Sequence, residues 1–149
     1  MHREVPGLDP EVPDPGRFNF GGTLGLDGAN AMCDMKFAGT HACSLDELKT
    51  STTYGDLVNL KDIANMRVTS FWAIDSTAPP LQQCNDDAVG GSGINWEYAT
   101  AHTASRGEKV DLNNSSGALV GLDATGKPDA AHIGLQCNFS GNAWVACCL

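Results

Sequence analysis

Six cysteines are the residues in this chain whose type and spacing most directly imply chemistry. They form an even set in a chain of 149 residues, with no CxxC pair and no histidine at zinc-site spacing. Such a set typically oxidises, so we expect three disulfides in an oxidising compartment; six buried thiols in a cytosolic protein are the alternative. The cysteines are Cys33, Cys43, Cys84, Cys137, Cys147 and Cys148.

The adjacent pair Cys147 and Cys148 lies in a predicted final strand. Successive strand side chains point to opposite faces, so these two sulfurs should bond to different partners rather than to each other. Cys33 lies on the first predicted helix and Cys43 at the start of the second. Both are suitable partners for this pair, because both helices must pack on the sheet. The predicted bonds join Cys84 to Cys137, and join Cys33 and Cys43 each to Cys147 or Cys148.

Acidic and amide residues around a predicted long loop contain the oxygen ligands that calcium prefers. The candidate metal ligands are Asp86, Asp87 and Glu97, with Asn85 and Asp75 nearby. No EF-hand spacing occurs, and we favour the alternative that these residues form a solvated acidic loop whose side chains make turns. No cofactor is predicted, and calcium is the one ion that these residues would suit.

Four residues are candidates for ligand binding, namely Trp96, Tyr98, Asn113 and Asn114. Trp96 and Tyr98 alternate on one face of a predicted strand over residues 96–101, which would form a stacking surface, although burial of the tryptophan in the core is the favoured alternative. The four histidines match no catalytic signature, and no Gly-x-Ser-x-Gly elbow occurs. We therefore predict a protein without catalytic residues, while noting that two of its acids could meet to hydrolyse a glycosidic bond.

The composition excludes several functional classes. A net charge of −9 with only nine lysines and arginines excludes nucleic acid as a partner, because phosphate contacts need clustered cations. No apolar run approaches the roughly 18 residues of a membrane span. The N-terminal residues lack the apolar core of a signal peptide, so a secreted, extracellular or periplasmic location is inferred from the cysteines alone.

The positions of prolines and apolar residues predict the elements that hold these side chains. Residues 1–16 contain most of the seven prolines and are interpreted as a leader or linker, and residues 17–149 as a single domain. Asp27 is the predicted N-cap of a first helix that ends at Gly39. Ser44 and Glu47 form a capping box for a second helix over residues 45–50. Strands are predicted over residues 67–74, 96–101 and 118–122, with a closing hairpin of residues 133–137 and 143–148, and a long loop over residues 75–93.

The stretch from Phe20 to Cys33 reads FGGTLGLDGANAMC, and it is followed by GTHAC at residues 39–43 and EL at residues 47–48. These residues resemble the opening of small secreted bacterial cysteine-rich domains, which are related in fold to C-type lectins and endostatin. The shared pattern is a GL-x-GA-x-A-x-C helix followed by a G-T-H-x-C turn. FWAI at residues 71–74 and WVACC at residues 144–148 resemble their aromatic strand and their closing strand.

The resemblance covers about residues 18–149. It implies an α+β, C-type-lectin-like fold in which two helices pack on a small antiparallel sheet, beside a long irregular loop. It also implies a disulfide between the first helix and the final strand. The Glu-Pro-Asn, Gln-Pro-Asp and Trp-Asn-Asp triplets with which sugar-binding C-type lectins hold calcium do not occur in this sequence.

Together these observations predict an extracellular, non-enzymatic recognition module. Its partner would be a glycan or a cell-surface protein, bound through the loops between residues 75 and 117. One alternative is a structural subunit of an extracellular assembly, in which the leader and the sheet edges join copies by self-association. A secreted hydrolase is the second alternative.

Overall fold

The structure, a computed structural model, describes residues 18–62, 64–85, 93–97, 105–137 and 143–149. It is a small α+β fold with two helices, small antiparallel sheets and three disulfides. The predicted leader, residues 1–16, lies outside the described residues. The elements are β1 (Asn19–Phe20), β2 (Thr23–Leu24), α1 (Gly25–Lys36), β3 (His41–Ala42), α2 (Leu45–Tyr54), β4 (Ser70–Trp72), a 3-10 turn (Pro80–Gln82), β5 (Arg106–Gly107), β6 (Lys109–Asn113), β7 (Ala118–Val120), β8 (Leu135–Gln136) and β9 (Cys147–Cys148).

Helix α1 begins earlier than its predicted N-cap. It starts at Gly25, directly after β2, and no side chain caps its first turn, so the prediction that Asp27 is the N-cap is wrong. Asp27 instead lies within the first turn, where a carboxylate interacts favourably with the helix dipole. The helix ends at Lys36, whose cation suits the opposite end of that dipole.

Helix α2 confirms the predicted capping box. The Ser44 Oγ accepts a hydrogen bond from the Glu47 backbone N–H at 3.3 Å, and the Glu47 carboxylate accepts one from the Ser44 N–H at 2.9 Å. The helix extends to Tyr54, beyond the predicted residues 45–50, because no helix-breaking residue occurs before Gly55. Gly55 ends it in the left-handed conformation, with φ of 76°.

The largest described sheet has three antiparallel strands in the order β4-β6-β7. The predicted strand over residues 67–74 is shorter than expected and reduces to β4, and the one over residues 118–122 reduces to β7. Strand β6 was not predicted, although its burial alternates as a half-buried strand should. The remaining described pairs are β1-β2, β3-β9 and β5-β8.

The predicted pairing of the closing hairpin is wrong, and the predicted strand over residues 96–101 departs from expectation at its start. Residues 133–137 and 143–148 do not form a hairpin, because β8 pairs with β5 and β9 pairs with β3, so each finds its partner far away in the sequence. The predicted strand over residues 96–101 is interrupted at its start, since Trp96 lies in a turn with φ of 62°. Residues 98–101 lie outside the described part of the chain.

The apolar side chains form two cores on opposite faces of β4. Phe71 packs in the first core with the leucines of α2, whereas Trp72 packs in the second with Met32 of α1. The segment 143–148 runs beside β4, and its successive side chains also alternate between the two cores. Both faces of these central strands are therefore buried, which explains their nearly continuous apolar sequence.

The three disulfides confirm the predicted pairing. Because Cys147 faces the second core and Cys148 the first, each meets a different helical region. The bonds are Cys33–Cys147, Cys43–Cys148 and Cys84–Cys137. They settle which helical cysteine bonds to which strand cysteine, and they are compatible with an extracellular or periplasmic location. Neither described helix has the length and apolar content to cross a membrane.

Candidate functional site

A cavity of about 410 Å³ lies between the first turn of α1 and the segment 93–97. We call it the loop cavity. Its volume lies within the roughly 300–1,000 Å³ that is typical of small-molecule sites. Carboxylate, amide and aliphatic groups share its lining, which includes Leu26, Asp27, Asn85, Ile94, Asn95 and Glu97.

Gly25 lets the helix and the segment 93–97 approach closely. A Cβ atom at this position would lie 2.9 Å from the Asn95 carbonyl oxygen and 3.3 Å from the Ile94 side chain. Its φ of +69° also favours glycine. The two walls of the loop cavity therefore meet at a backbone contact that a larger residue would separate.

Trp96 anchors the segment 93–97 to the core. It is 1% exposed, stacks on Phe18 with ring centroids 4.9 Å apart, and meets Trp72 edge-on. Its N–H donates to the Gln83 carbonyl at 2.7 Å, and its carbonyl accepts from the Phe18 N–H at 2.9 Å. Both the ring and the backbone of Trp96 therefore serve the core, which is the alternative that the sequence favoured.

Asn85 orders the other side of the same segment. Its side-chain amide donates to the Gly93 carbonyl at 2.7 Å and to the Asn95 side-chain oxygen at 2.9 Å. Its carbonyl accepts a hydrogen bond from the Ser105 hydroxyl. The lining groups Ile94, Asn95 and Glu97 are consequently carried by backbone that is fixed from two sides.

The other predicted ligand-binding residues lie apart from this cavity. Asn113 is exposed at the end of β6, on the turn that leads to β7. Asn114 is buried, and its amide donates to the carbonyls of Leu60 at 2.7 Å and Val68 at 3.1 Å. The amide of Asn114 therefore ties two backbone segments together, and its role in ligand binding stays a prediction. Tyr98 lies outside the described residues.

The predicted calcium ligands are not gathered by the described part of the structure. Asp86 and Asp87 lie outside the described residues. Asp75 and Glu97 line different cavities. Among the described residues, no group of three or more histidine, cysteine, aspartate or glutamate side chains is placed to hold a metal.

A second cavity, of about 210 Å³, lies between the segment that follows β4 and the segment 127–133. We call it the Glu108 cavity. Asp75 in its wall accepts hydrogen bonds from the Thr77 hydroxyl at 2.6 Å and from the Lys127 ammonium at 2.6 Å. Burial raises the pKa of Asp75, but these hydrogen bonds outweigh burial and hold the pKa below its usual value.

Glu108 differs from Asp75 in having no such partners. The residue is 4% exposed, lines the Glu108 cavity, and its carboxyl group hydrogen-bonds to no described residue. Burial raises its pKa to about 7, and the negative charge of Asp75 adds to this effect while Lys127 opposes it. A buried acid with a shifted pKa in a cavity is a feature of functional sites. Glu108 was not predicted as a site residue. The one signal for it in the sequence is its position directly before the alternating pattern of β6.

His132 forms an ion cluster on the outer face of β6. Its Nδ1 lies 2.7 Å from Asp129 Oδ1, and its Nε2 lies 2.9 Å from Asp111 Oδ2. Hydrogen bonding to Asp129, together with Asp111, raises the pKa of His132 against the opposing effect of burial. A Cβ atom on Gly121 would lie 2.4 Å from the ring, so the imidazole packs directly on that backbone. This cluster fixes the segment 121–132 to the sheet.

Searches against protein-family models, curated proteins and solved structures found no match to this chain. The C-type-lectin-like resemblance therefore remains an expectation from the sequence. Function has to be inferred from the chemistry of the two cavities.

Proposed function

We propose that this protein is an extracellular, non-enzymatic recognition module that binds a neutral glycan in the loop cavity. The observation that carries this proposal is the composition of the cavity wall. Polar acceptors stand beside aliphatic side chains that are still exposed, with Leu26 at 39% and Ile94 at 50%. Exposed apolar groups next to a few convergent polar groups are typical of a binding site.

The chemistry of the wall suits a sugar. The carboxylates of Asp27 and Glu97 accept hydrogen bonds from hydroxyl groups, while Leu26 and Ile94 contact the C–H faces of a ring. No lysine or arginine lines the cavity among the described residues. Since the chain also has a net charge of −9, an anionic glycan would be repelled.

Rigidity of the wall supports the same function. The segment 93–97 is held by Trp96 in the core and by the amide of Asn85. A site that is ordered before binding loses little conformational entropy when the ligand arrives. This matters for a sugar, because the net gain from each of its hydrogen bonds is only about 1 kcal/mol.

The C-type-lectin-like fold and the export of the protein belong to the same proposal. The Cys33–Cys147 bond supports the fold, because it joins the first helix to the final strand as the resemblance implies. The three disulfides support export, since they persist in oxidising compartments.

The loop cavity contains two carboxylates, Asp27 and Glu97, so the choice between binding and hydrolysis there is made by experiment. In the Glu108 cavity, the state of the acids disfavours hydrolysis. Hydrolysis of a glycosidic bond commonly needs two carboxyl groups that are free to act. Both oxygens of Asp75 are already committed, one to Thr77 and the other to Lys127, which leaves Glu108 alone. A screen with chromogenic glycosides tests the hydrolase alternative directly.

The structural-subunit alternative predicts self-association. If the leader joins copies, deleting residues 1–16 will lower the particle mass measured by light scattering without unfolding the domain. For a lone recognition module we expect a monomer before and after the deletion, with an unchanged melting temperature.

A glycan array tests the proposed function. We expect binding to neutral oligosaccharides and none to sialylated or uronic-acid glycans. Replacing Glu97→Gln or Asp27→Asn should weaken binding to the best neutral glycan by at least tenfold in calorimetry. Asp46→Asn is the matched control, because this acid is exposed on α2, where it pairs with Lys49. Equal binding by all four proteins, or binding only to anionic glycans, would refute the proposal.

Calcium is not needed in this proposal. The same array repeated with a chelator should give the same signals, and millimolar calcium should shift the melting temperature little or not at all. A large calcium-dependent shift that Asp86→Asn with Asp87→Asn abolishes would instead support the metal site considered from the sequence.

A further inference from the structure

The Glu108 cavity contains a buried acid that its surroundings leave without a hydrogen bond. Glu108 is 4% exposed, and no described residue donates to its carboxyl group. Its oxygens are not among the enclosed side-chain atoms that lack a partner, so the carboxyl group opens on to the cavity, where water or a ligand can donate to it. A group of this kind at the wall of a cavity points to a missing donor that would come from outside the chain.

Lys127, the cation that lines the same cavity, already donates its hydrogen bonds to other residues. The Lys127 ammonium donates to Asp75 at 2.6 Å and to the Thr77 hydroxyl at 2.8 Å, and its side chain is 41% exposed at the mouth of the cavity. Asp46 also acts on Lys127 through its charge. With Glu108 ionised, Asp75, Glu108 and Lys127 together leave one negative charge unbalanced.

The rest of the wall is mainly aliphatic. Ala78, Pro79, Pro128 and Ile133 line the cavity around the acid. Its volume of about 210 Å³ is too small for an oligosaccharide but accommodates a short alkyl chain. Methylene groups gain from contact with such walls, while their charged end requires a carboxylate.

We propose that the Glu108 cavity binds a primary ammonium group carried on an aliphatic chain. The ammonium would donate to the Glu108 carboxylate, and its methylene groups would pack against Pro79, Pro128 and Ile133. A lysine side chain of a partner protein and a free alkylamine share this chemistry. The proposal does not depend on the glycan site, because the two cavities have no lining residue in common.

The test uses three probes on the intact, oxidised protein at pH 8, followed by amide chemical shifts in NMR. The probes are n-butylammonium, Nα-acetyl-lysine N-methylamide and its neutral analogue Nα-acetyl-norleucine N-methylamide. We expect saturable shifts around Glu108 and Lys127 with both cationic probes and none with the neutral one. A tighter lysine probe identifies a protein side chain as the source, whereas equal or tighter butylammonium binding identifies a free amine.

Two variants and a change of pH examine the role of the acid. Glu108→Gln should weaken both cationic probes by at least tenfold. Lowering the pH from 8 to 5.5 should also weaken them by more than tenfold, because burial favours the protonated acid. Ala78→Leu should block the cavity while leaving Glu108 in place. Asp34→Asn, at an exposed acid on α1 that lines neither cavity, should change nothing.

Several results would overturn the proposal. One is the failure of both cationic probes to bind at concentrations up to tens of millimolar. Another is equal binding of the neutral analogue, and a third is undiminished binding by Glu108→Gln. Near-native amide spectra for Glu108→Gln and Ala78→Leu confirm that a loss of binding is not a loss of fold. If one variant unfolds, the other still decides the outcome.

Discussion

Glu108 and Asn114 are both buried polar residues, but only Asn114 has partners for its hydrogen-bonding groups. Its amide donates to the carbonyls of Leu60 and Val68, whereas no described residue donates to the carboxyl group of Glu108. Desolvation therefore costs free energy at Glu108, while at Asn114 it is compensated. Substitution at the two positions should have opposite effects on stability.

Glu108→Gln should stabilise the protein above neutral pH. The pKa of this acid is 4.5 in the unfolded chain and about 7 in the folded protein. Its contribution to stability is complete below pH 4.5 and is lost as the pH rises through 7. At pH 8 the wild type should have lost about 3 kcal/mol of unfolding free energy that the variant keeps. Urea titrations at pH 5 and pH 8 measure this difference.

His132 also makes stability depend on pH and provides the control. Its pKa is raised in the folded protein, so its stabilising contribution is complete below about pH 6.5 and is lost as the pH rises through the higher folded pKa. The double variant with His132→Gln should therefore show a flatter dependence than Glu108→Gln alone. A Glu108→Gln protein with the same pH dependence as the wild type would contradict the burial argument.

Asn114→Ala should destabilise the protein by about 1–3 kcal/mol, because it leaves the Val68 carbonyl without its donor and the Leu60 carbonyl with only the Val68 N–H. Asn113→Ala is the neighbouring control: this side chain is exposed, and its loss should cost no more than about 0.5 kcal/mol. Midpoints of urea unfolding distinguish the two. Similar midpoints for both variants would mean that the amide contacts contribute little.

At the scale of elements, the sequence predicted structure correctly where the pattern lies within a few neighbouring residues. The Ser44–Glu47 capping box predicted the start of α2 correctly, because both of its hydrogen bonds lie within four residues. The alternation of the final strand predicted separate partners for Cys147 and Cys148. The capping box forms its contacts within its own sequence, whereas the alternation determines only which face each cysteine lies on, and its partner comes from a distant part of the chain.

Elements whose partners lie far away were not predictable in this way. Strands β8 and β5 have two residues each, too few to show a period, and only their pairing makes them strands. The Glu108 cavity is a similar case. Glu108, Asp75 and Lys127 come together only through the folded sheet and its connections, and no local spacing links them. One wall of the loop cavity belongs to the region 75–117 that was predicted to bind, whereas its other wall, the first turn of α1, was not part of that prediction.

Helix α1 supports a prediction in which the usual effect of a substitution is reversed. Gly28 packs on β2, where an added Cβ would lie 2.2 Å from the Thr23 carbonyl oxygen. Alanine normally stabilises a helix by about 1 kcal/mol relative to glycine. Gly28→Ala should instead destabilise this protein by about 1–3 kcal/mol, because the helix must shift to relieve the overlap. The midpoint of thermal unfolding measures the effect.

Met35→Ala is the matched control for that helix, since Met35 is 74% exposed. It should change the unfolding free energy by less than about 0.5 kcal/mol. A stabilised Gly28→Ala protein would show that α1 and the β1-β2 hairpin can separate without cost.

At the scale of the whole molecule, covalent links hold together a chain with short strands and two separate cores. Two bonds attach the final strand to the helical regions. The Cys33–Cys147 bond lies in the second core and the Cys43–Cys148 bond in the first. The Cys84–Cys137 bond connects the region of the 3-10 turn to the segment that follows β8. Intact-mass spectrometry after alkylation without reduction should therefore find no free thiol.

Removing the Cys84–Cys137 bond with a pair of alanines should lower the unfolding free energy by about 2–4 kcal/mol, because the unfolded chain regains the freedom that the link removes. The partners are separated by 53 residues. Urea unfolding of the oxidised variant gives the value. A loss below 1 kcal/mol would indicate that the remaining two bonds already restrict this part of the unfolded chain.

The position of the cysteines along the chain also constrains how the protein matures. Cys33 and Cys43 bond to residues that follow them by 114 and 105 positions, at the final strand. If the protein is exported from its N-terminus as proposed, both thiols reach an oxidising compartment long before their native partners. In that interval they can bond only to each other or to another early thiol, and such a bond must later be exchanged. The yield of active protein should therefore depend on the disulfide-isomerising capacity of the host as much as on the stability of the finished fold.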